Sequence, residues 1–549
     1  MKPLENHKMR FIKILFLIIV FVSIFLLGLN NHGLWTPDEP RVAEIGREMA
    51  ERGNFFIPEL NKRPFLEQPP LYYASMAILF RLAGKAEESL ARLPSAIYGM
   101  AGVFATFLLG YTLFGMTTGI ISAFIISTSF EYFRVSHWAI VDSALSCFIF
   151  FAMFFFIKGY SIGDKRKKSL HYLLFYVFCT LAFFVKGFIG IGIPAVAVLS
   201  FLILDKNIKE ITKMQLWIGL LLFLISLFLW AICLYNYGGM EYIRVFFIDN
   251  NLLRFLPGGK SGHHRPFYYY FTEFPAGFMP WSIFLIPTFF YVFSKNAHHD
   301  RKGLLFLLCW FISGFVLFSL SATKRILYLL PLFAPISILT SAFIEYIINS
   351  WPVKGLYRIF LWIYGFMYLL MGIMFLPMVK YISKIYPIAL DSKEFVFSII
   401  ISICLIVLSL ICLKKLLQHK IKQYFYLVGG CLYGILLFAL LIGTPFVDQY
   451  KNFKPFAEKI INYIPKDSSI YAYKPDETIR GFIPFYTKRY LEEIHDRTGL
   501  FSLMEKKETV YIVIRDKDNK LKKELLNEGF IEVMDFTKGS ESSLSLFKR

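Results

Sequence analysis

Charge is scarce in this chain: Asp, Glu, Lys and Arg make up 18% of its 549 residues. Acid is scarcer still, with 39 acidic side chains against 59 basic ones. Hydrophobic residues reach 56%, Phe alone counts 61, and the mean hydropathy is +0.54. A soluble protein cannot hide that much apolar surface, so the composition selects a polytopic α-helical membrane protein. Close cysteine pairs are missing. Cys147, Cys179, Cys233, Cys309, Cys404, Cys412 and Cys431 all lie in apolar runs without a CxxC, so they read as packing residues, not disulfides or metal ligands. No small-residue cleavage site follows the first apolar segment, 11–29, despite Lys2, Lys8, Arg10 and Lys13, which favours an uncleaved anchor over a signal peptide. No repeat relates the two halves, as many transporters would show.

What is present are apolar runs beginning near Phe11, Leu93, Thr117, Val141, Leu170, Phe188, Leu216, Met279, Leu304, Ile326, Tyr357, Phe395 and Tyr424. They make about thirteen spans at roughly 20 residues each. The formal charge of +20 would suggest a nucleic acid partner in a soluble protein. Here the basic residues concentrate in short loops after even-numbered spans, such as Lys165 to Lys168 and Lys414, Lys415, Lys420 and Lys422. The positive-inside rule explains this without nucleic acid and makes those loops cytoplasmic. The N-terminus is then cytoplasmic, and the loops 30–92 and 237–278 and the C-terminus are extracytoplasmic. From 446 to 549 the composition turns polar. A helix near 454–464 and strands near 469–473, 510–514 and 530–534 predict a small α/β domain, large enough to hold its own core.

The stretch 33–73 is the richest in candidate chemistry. Asp38 and Glu39 stand together, and Glu67 and Gln68 precede a double proline. Pro37 starts a short helix whose apolar side is Val42, Ile45 and Met49; Glu44, Arg47, Glu48 and Arg52 face elsewhere. Such a helix after a membrane span is expected along the bilayer surface. On the same expected side lie Asp142 at the start of a span, Lys186 between two spans, and Lys324 one turn from Tyr328. The 237–278 loop brings Arg244, Arg254, Arg265, His263 and His264 beside three consecutive tyrosines. Arginine suits phosphate, and histidine with a carboxylate such as Glu67 suits a divalent metal; a plain hydrogen-bonded histidine is the alternative. Carboxylates and cations from several loops thus converge on one membrane face.

GLWTPDEPRVAEIGREM, LEQPPLYY, VKGFIGIGIP, the RF…HHRPFYYY loop and TKRILYLLP, in this order, resemble the bacterial aminoarabinose transferase and protein O-mannosyltransferase superfamily. These are GT-C membrane glycosyltransferases that use polyprenyl-phosphate sugars. The resemblance implies a membrane glycosyltransferase domain over 1–445 and an extracytoplasmic α/β domain over 446–549, in the bacterial inner membrane. It implies catalytic roles for Asp38, Asp142 and Glu39. It places Arg254, Lys324, Tyr328, Lys186, Arg41 and Gln68 at the substrate or carrier phosphate, and gives Glu67 and His263 a shared zinc, magnesium or manganese. Gln68 stands where the aminoarabinose branch has lysine, and Val42 and Phe65 replace tyrosines of that branch. A sibling with another sugar or acceptor therefore fits equally.

The chemistry expected is transfer from an undecaprenyl-phosphate sugar to an envelope lipid, glycan or protein. Cations stabilise the leaving phosphate, and Asp38 serves as base or acceptor orienter with support from Asp142. A flippase for a lipid-linked sugar is the competing class. The gathering of acidic residues at one face favours the enzyme.

Overall fold

The structure is a computed structural model that describes residues 21–252, 265–295, 297, 301–385, 392–505, 508–516, 520–537 and 543–549. Among the described residues, nine helices are long and apolar enough to cross a membrane. Tyr269–Gly277 and Trp281–Val292 make a tenth if that pair, bent by 115°, is one span. The runs expected from Thr117 and Phe188 are shorter apolar helices, Met116–Ser127 and Ile189–Leu204. The first expected run lies mostly outside the described residues. The chain is a multi-pass membrane protein. Ile326–Asn349 is the central span, almost wholly buried among its neighbours, whereas Leu216–Asn250 turns most of its surface outward. The loop expected from 237 begins as helix: the Leu216 helix continues through a break at Gly238 and Gly239, then as a π-helix to Leu252.

Between the anchor and the first long span come α1 (Asp38–Arg52), a minimal hairpin of β1 (Glu59–Leu60) and β2 (Arg63–Pro64), and α2 (Leu71–Ala83). Gly53 closes α1 in the left-handed region, φ 69°, its N–H bonding the Met49 carbonyl at 3.0 Å.

The last apolar helix runs past position 446 to Lys451, and a separate core begins at Phe453. Here α3 (Lys454–Tyr463), β3 (Ile470–Tyr473), α4 (Glu477–Thr487), β4 (Leu491–Ile494), α5 (Arg497–Met504), β5 (Tyr511–Asp516), α6 (Lys520–Asn527), β6 (Ile531–Thr537) and β7 (Ser543–Lys548) follow. The sheet order is β4-β3-β5-β7-β6, with β3 parallel to both β4 and β5 and β7 antiparallel to β5 and β6. β3 is buried at every position because the sheet has a core on each side, one including Ile470 and Ala472 and the other Tyr471 and Tyr473.

α1 does not present a polar side to water: Glu44, Arg47 and Glu48 are all buried. The helix is sandwiched between α2 and α4, so its charged side meets the C-terminal domain. Arg47 pairs with Glu44 and Glu51, and Glu48 takes the backbone N–H groups of Asn61 (2.6 Å) and Lys62 (3.0 Å). A buried charge must find such partners, and the hairpin turn supplies them.

Candidate functional site

Successive residues on a helix point about 100° apart, so Asp38 and Glu39 cannot serve one place. Glu39 turns inward. Arg92, in the helix Glu88–Phe114, donates to it through Nε (2.7 Å) and Nη2 (2.9 Å), and the N–H groups of Trp35 (2.9 Å) and Ala139 (3.0 Å) complete its shell. Arg92 also donates to the carbonyls of Leu29, His32 and Gly33, using all its N–H groups. Both side chains are essentially unexposed. Removing either partner of such a pair costs about 3–5 kcal/mol, since a buried charge is left alone. Glu39 thus fixes the start of α1, and with it the direction of Asp38.

Asp38 points the other way. Both Nη atoms of Arg325 donate to its carboxylate, and Arg41 Nη2 donates to Oδ1 at 2.9 Å. Burial raises its pKa, but the Arg325 bond and charge, then Arg41 and Lys186, hold the carboxyl below the usual carboxylate range. Asp38 is therefore an anion at neutral pH. Arg41 lies over the Phe65 ring, 5.6 Å from its centre, and its other arm bonds Glu477 of α4.

A second cluster adjoins the first. Asp142 pairs with Lys186, whose ammonium lies 4.3 Å from the centre of the Tyr328 ring. Arg325 is within electrostatic reach of Asp142 and Tyr328, as Asp38 is of Lys186. Beside them opens a cavity of about 100 Å³. Its polar lining is Glu67, Gln68, Lys186, Asn250, Ser321, Thr323 and Tyr328, and Leu145, Ile189, Leu317 and Phe318 make an apolar side. Asn250 donates to the Leu66 carbonyl at 3.0 Å, and Tyr73 donates to Gln68 Oε1 at 3.0 Å, which leaves the Gln68 amide nitrogen as the donor for the cavity.

Lys324 is buried, and its ammonium is spent on the carbonyls of Ser321 and Arg265, the latter at 3.1 Å. Burial lowers its pKa. It holds the cavity wall, while its neighbour Arg325 reaches Asp38. Arg254 and His263 lie outside the described residues. Glu67 is then the one described member of the expected metal pair, and among the described residues no three His, Cys, Asp or Glu side chains gather.

The structure thus brings together Asp38, Arg41, Asp142, Lys186, Tyr328, Glu67 and Gln68. The sequence reading left Arg325, Arg92 and Asn250 without roles. A Lys-Arg pair opening a span signals the first, and an arginine inside an apolar helix signals the second.

The dolichyl-phosphate-mannose-protein mannosyltransferase family matches residues 67–232. An undecaprenyl phosphate-alpha-4-amino-4-deoxy-L-arabinose arabinosyl transferase of Pectobacterium carotovorum is 27% identical over 356 residues, 61% of this chain and 61% of its own length. The match therefore spans about three fifths of that relative. The Edwardsiella ictaluri protein of the same name is 26% identical over 489 residues, 88% of this chain and 86% of its own. Among solved structures, ArnT from Cupriavidus metallidurans bound to undecaprenyl phosphate shares the fold, with a TM-score of 0.78 at 17% identity over 97% of each chain.

Proposed function

Because the chain belongs to the superfamily of GT-C membrane glycosyltransferases that holds the aminoarabinose transferases and protein O-mannosyltransferases, we propose that it moves a sugar from an undecaprenyl-phosphate donor to an envelope acceptor. The acceptor is a lipid A-like lipid, a glycan or a protein. Transfer takes place at the outer face of the inner membrane, with the N-terminus cytoplasmic and the C-terminal domain extracytoplasmic. The observation that supports this best is the ionised, buried Asp38 held by two arginines next to a cavity with Lys186 on its wall.

Bond cleavage leaves a phosphate whose growing charge needs cations already in place. Lys186 supplies one at the cavity, and the Gln68 amide and Asn250 add neutral polar groups. The sugar carbon becomes electron-poor as the phosphate leaves, and Asp38 accepts the proton of an acceptor hydroxyl or orients it. Asp142 holds Lys186 in place. Relatives of this chain are named for an undecaprenyl-phosphate donor, which favours transfer over flipping.

The test is release of undecaprenyl phosphate from labelled undecaprenyl phosphate-4-amino-4-deoxy-L-arabinose and other undecaprenyl-phosphate sugars, with an envelope lipid extract as acceptor. Asp38→Asn should abolish release while the protein stays folded and membrane-inserted. Wild-type turnover by that variant removes Asp38 from the mechanism.

A further inference from the structure

Glu477 opens α4 in the C-terminal domain, far along the chain from every residue given a role above. Its carboxylate takes Arg41 Nη1, while Arg41 Nη2 reaches Asp38 Oδ1 at 2.9 Å. Resting on the glycosyltransferase reading, we propose that Glu477 is a positioning residue: it fixes the Arg41 fork on Asp38, so the C-terminal domain completes the active site.

Three observations support the proposal. First, Glu477, Arg41, Asp38 and Arg325 form one row of alternating charge that runs from the soluble domain to the first residue before the central span. A guanidinium held by carboxylates on both arms has its plane and its reach fixed, which a single contact does not achieve. Second, the two helices that carry the row touch backbone to backbone. A Cβ at Gly481 would sit 2.5 Å from the Arg41 nitrogen, so only glycine permits this approach. Third, the domain grips the same segment on either side of Arg41. Tyr486 OH accepts the Leu34 N–H at 2.9 Å, and Asn61 pairs with the Leu491 backbone in both directions, at 2.8 and 3.0 Å. The C-terminal domain is thus held to the segment 34–61 at three points, and Glu477 is the one that bears on Asp38.

The experiment uses the full chain in detergent, with Glu477→Ala and Glu477→Gln beside wild type. Glutamine keeps an acceptor oxygen at the same reach; alanine keeps none. Three readings are taken: kcat and donor KM, melting temperature, and the rate at which a carbodiimide with glycine ethyl ester labels Asp38, followed by peptide mass spectrometry. Glu477→Ala should lower kcat about tenfold with donor KM and melting temperature near wild type, and should raise Asp38 labelling severalfold. Glu477→Gln should restore most of both. Wild-type kcat in Glu477→Ala, equal losses in the two variants, or a loss that tracks a fall in melting temperature would each overturn the proposal. If wild type turns over no undecaprenyl-phosphate sugar, the glycosyltransferase reading falls, and Asp38 labelling alone decides whether Glu477 positions it.

Discussion

Removing Arg325 tests the electrostatics of the site most directly. Its two Nη atoms both donate to Asp38, and it is the largest of the influences that oppose burial there. Arg325→Ala leaves Asp38 buried with Arg41 and Lys186 as the remaining opposing cations. The sign is definite. An ionised carboxylate whose pKa is depressed in the folded protein adds stability above its ordinary pKa and loses it as pH falls through the folded value. Without Arg325 the pKa climbs, that contribution shrinks, and the acid limb of the rate profile moves toward neutrality. Losing a charge-assisted hydrogen bond costs about 1.5–3 kcal/mol, or roughly tenfold to a hundredfold in kcat/KM. Arg325→Lys retains the charge but cannot fork across both oxygens, so it should fall about threefold to tenfold with a smaller pH displacement. Transfer rates measured between about pH 4 and 8 in the three proteins decide it. An unchanged rate and acid limb in Arg325→Ala would refute the claim that Asp38 acts as an anion held by this arginine.

Further outcomes follow from other contacts. Gln68→Lys adds a cation to the cavity wall and should tighten undecaprenyl phosphate about tenfold, read by titration of the purified protein; no change would move the phosphate away from Gln68. Glu44 is pushed from 4.5 to about 8 by burial, so the folded state holds a proton that the unfolded state releases, and stability falls as pH rises through that window. Glu44→Gln should flatten the melting temperature against pH there, and an unaltered slope would contradict the assignment. Asn61→Ala removes two hydrogen bonds to Leu491 and should cost about 1–3 kcal/mol of domain docking. Limited proteolysis should then release the C-terminal fragment faster than from wild type, and equal rates would refute it.

Much of this architecture is legible in the sequence because the bilayer imposes it. Apolar runs mark the spans, and those from Leu93, Val141, Leu170 and Ile326 coincide with long helices. The strands around 470, 511 and 531 appear where alternating and β-branched residues predict them. β4 was hidden, since Leu491-Glu492-Glu493-Ile494 reads as helix as readily as strand, and only pairing with β3 makes it extended. Asp38, Asp142 and Lys186 are visible as charges beside apolar runs. What a sequence cannot display is which way a helix rotates. Val42, Ile45 and Met49 define one buried side of α1, and nothing local reveals that Glu44 and Glu48 are buried as well, in a helix packed against α4 some 430 residues on by numbering. The same limit separates Lys324 from Arg325: both are basic and adjacent, and tertiary packing alone turns one to carbonyls and the other to a carboxylate.

The amide of Asn61 has a consequence beyond docking. β4 is an outer strand of its sheet, with β3 on one side only. Asn61 lends the Leu491 N–H an acceptor and its carbonyl a donor, so a single side chain stands in for a missing sixth strand. Glu493, one step along, is sealed by Arg63, Arg480 and the same amide. Expressed apart from the membrane helices, the C-terminal domain would keep its core but bare that margin, and an unpaired strand margin recruits other chains. Its solubility is therefore borrowed from a hairpin four hundred residues upstream in chain numbering, and a soluble fragment should aggregate unless that margin is blocked, for example by a proline or lysine in β4.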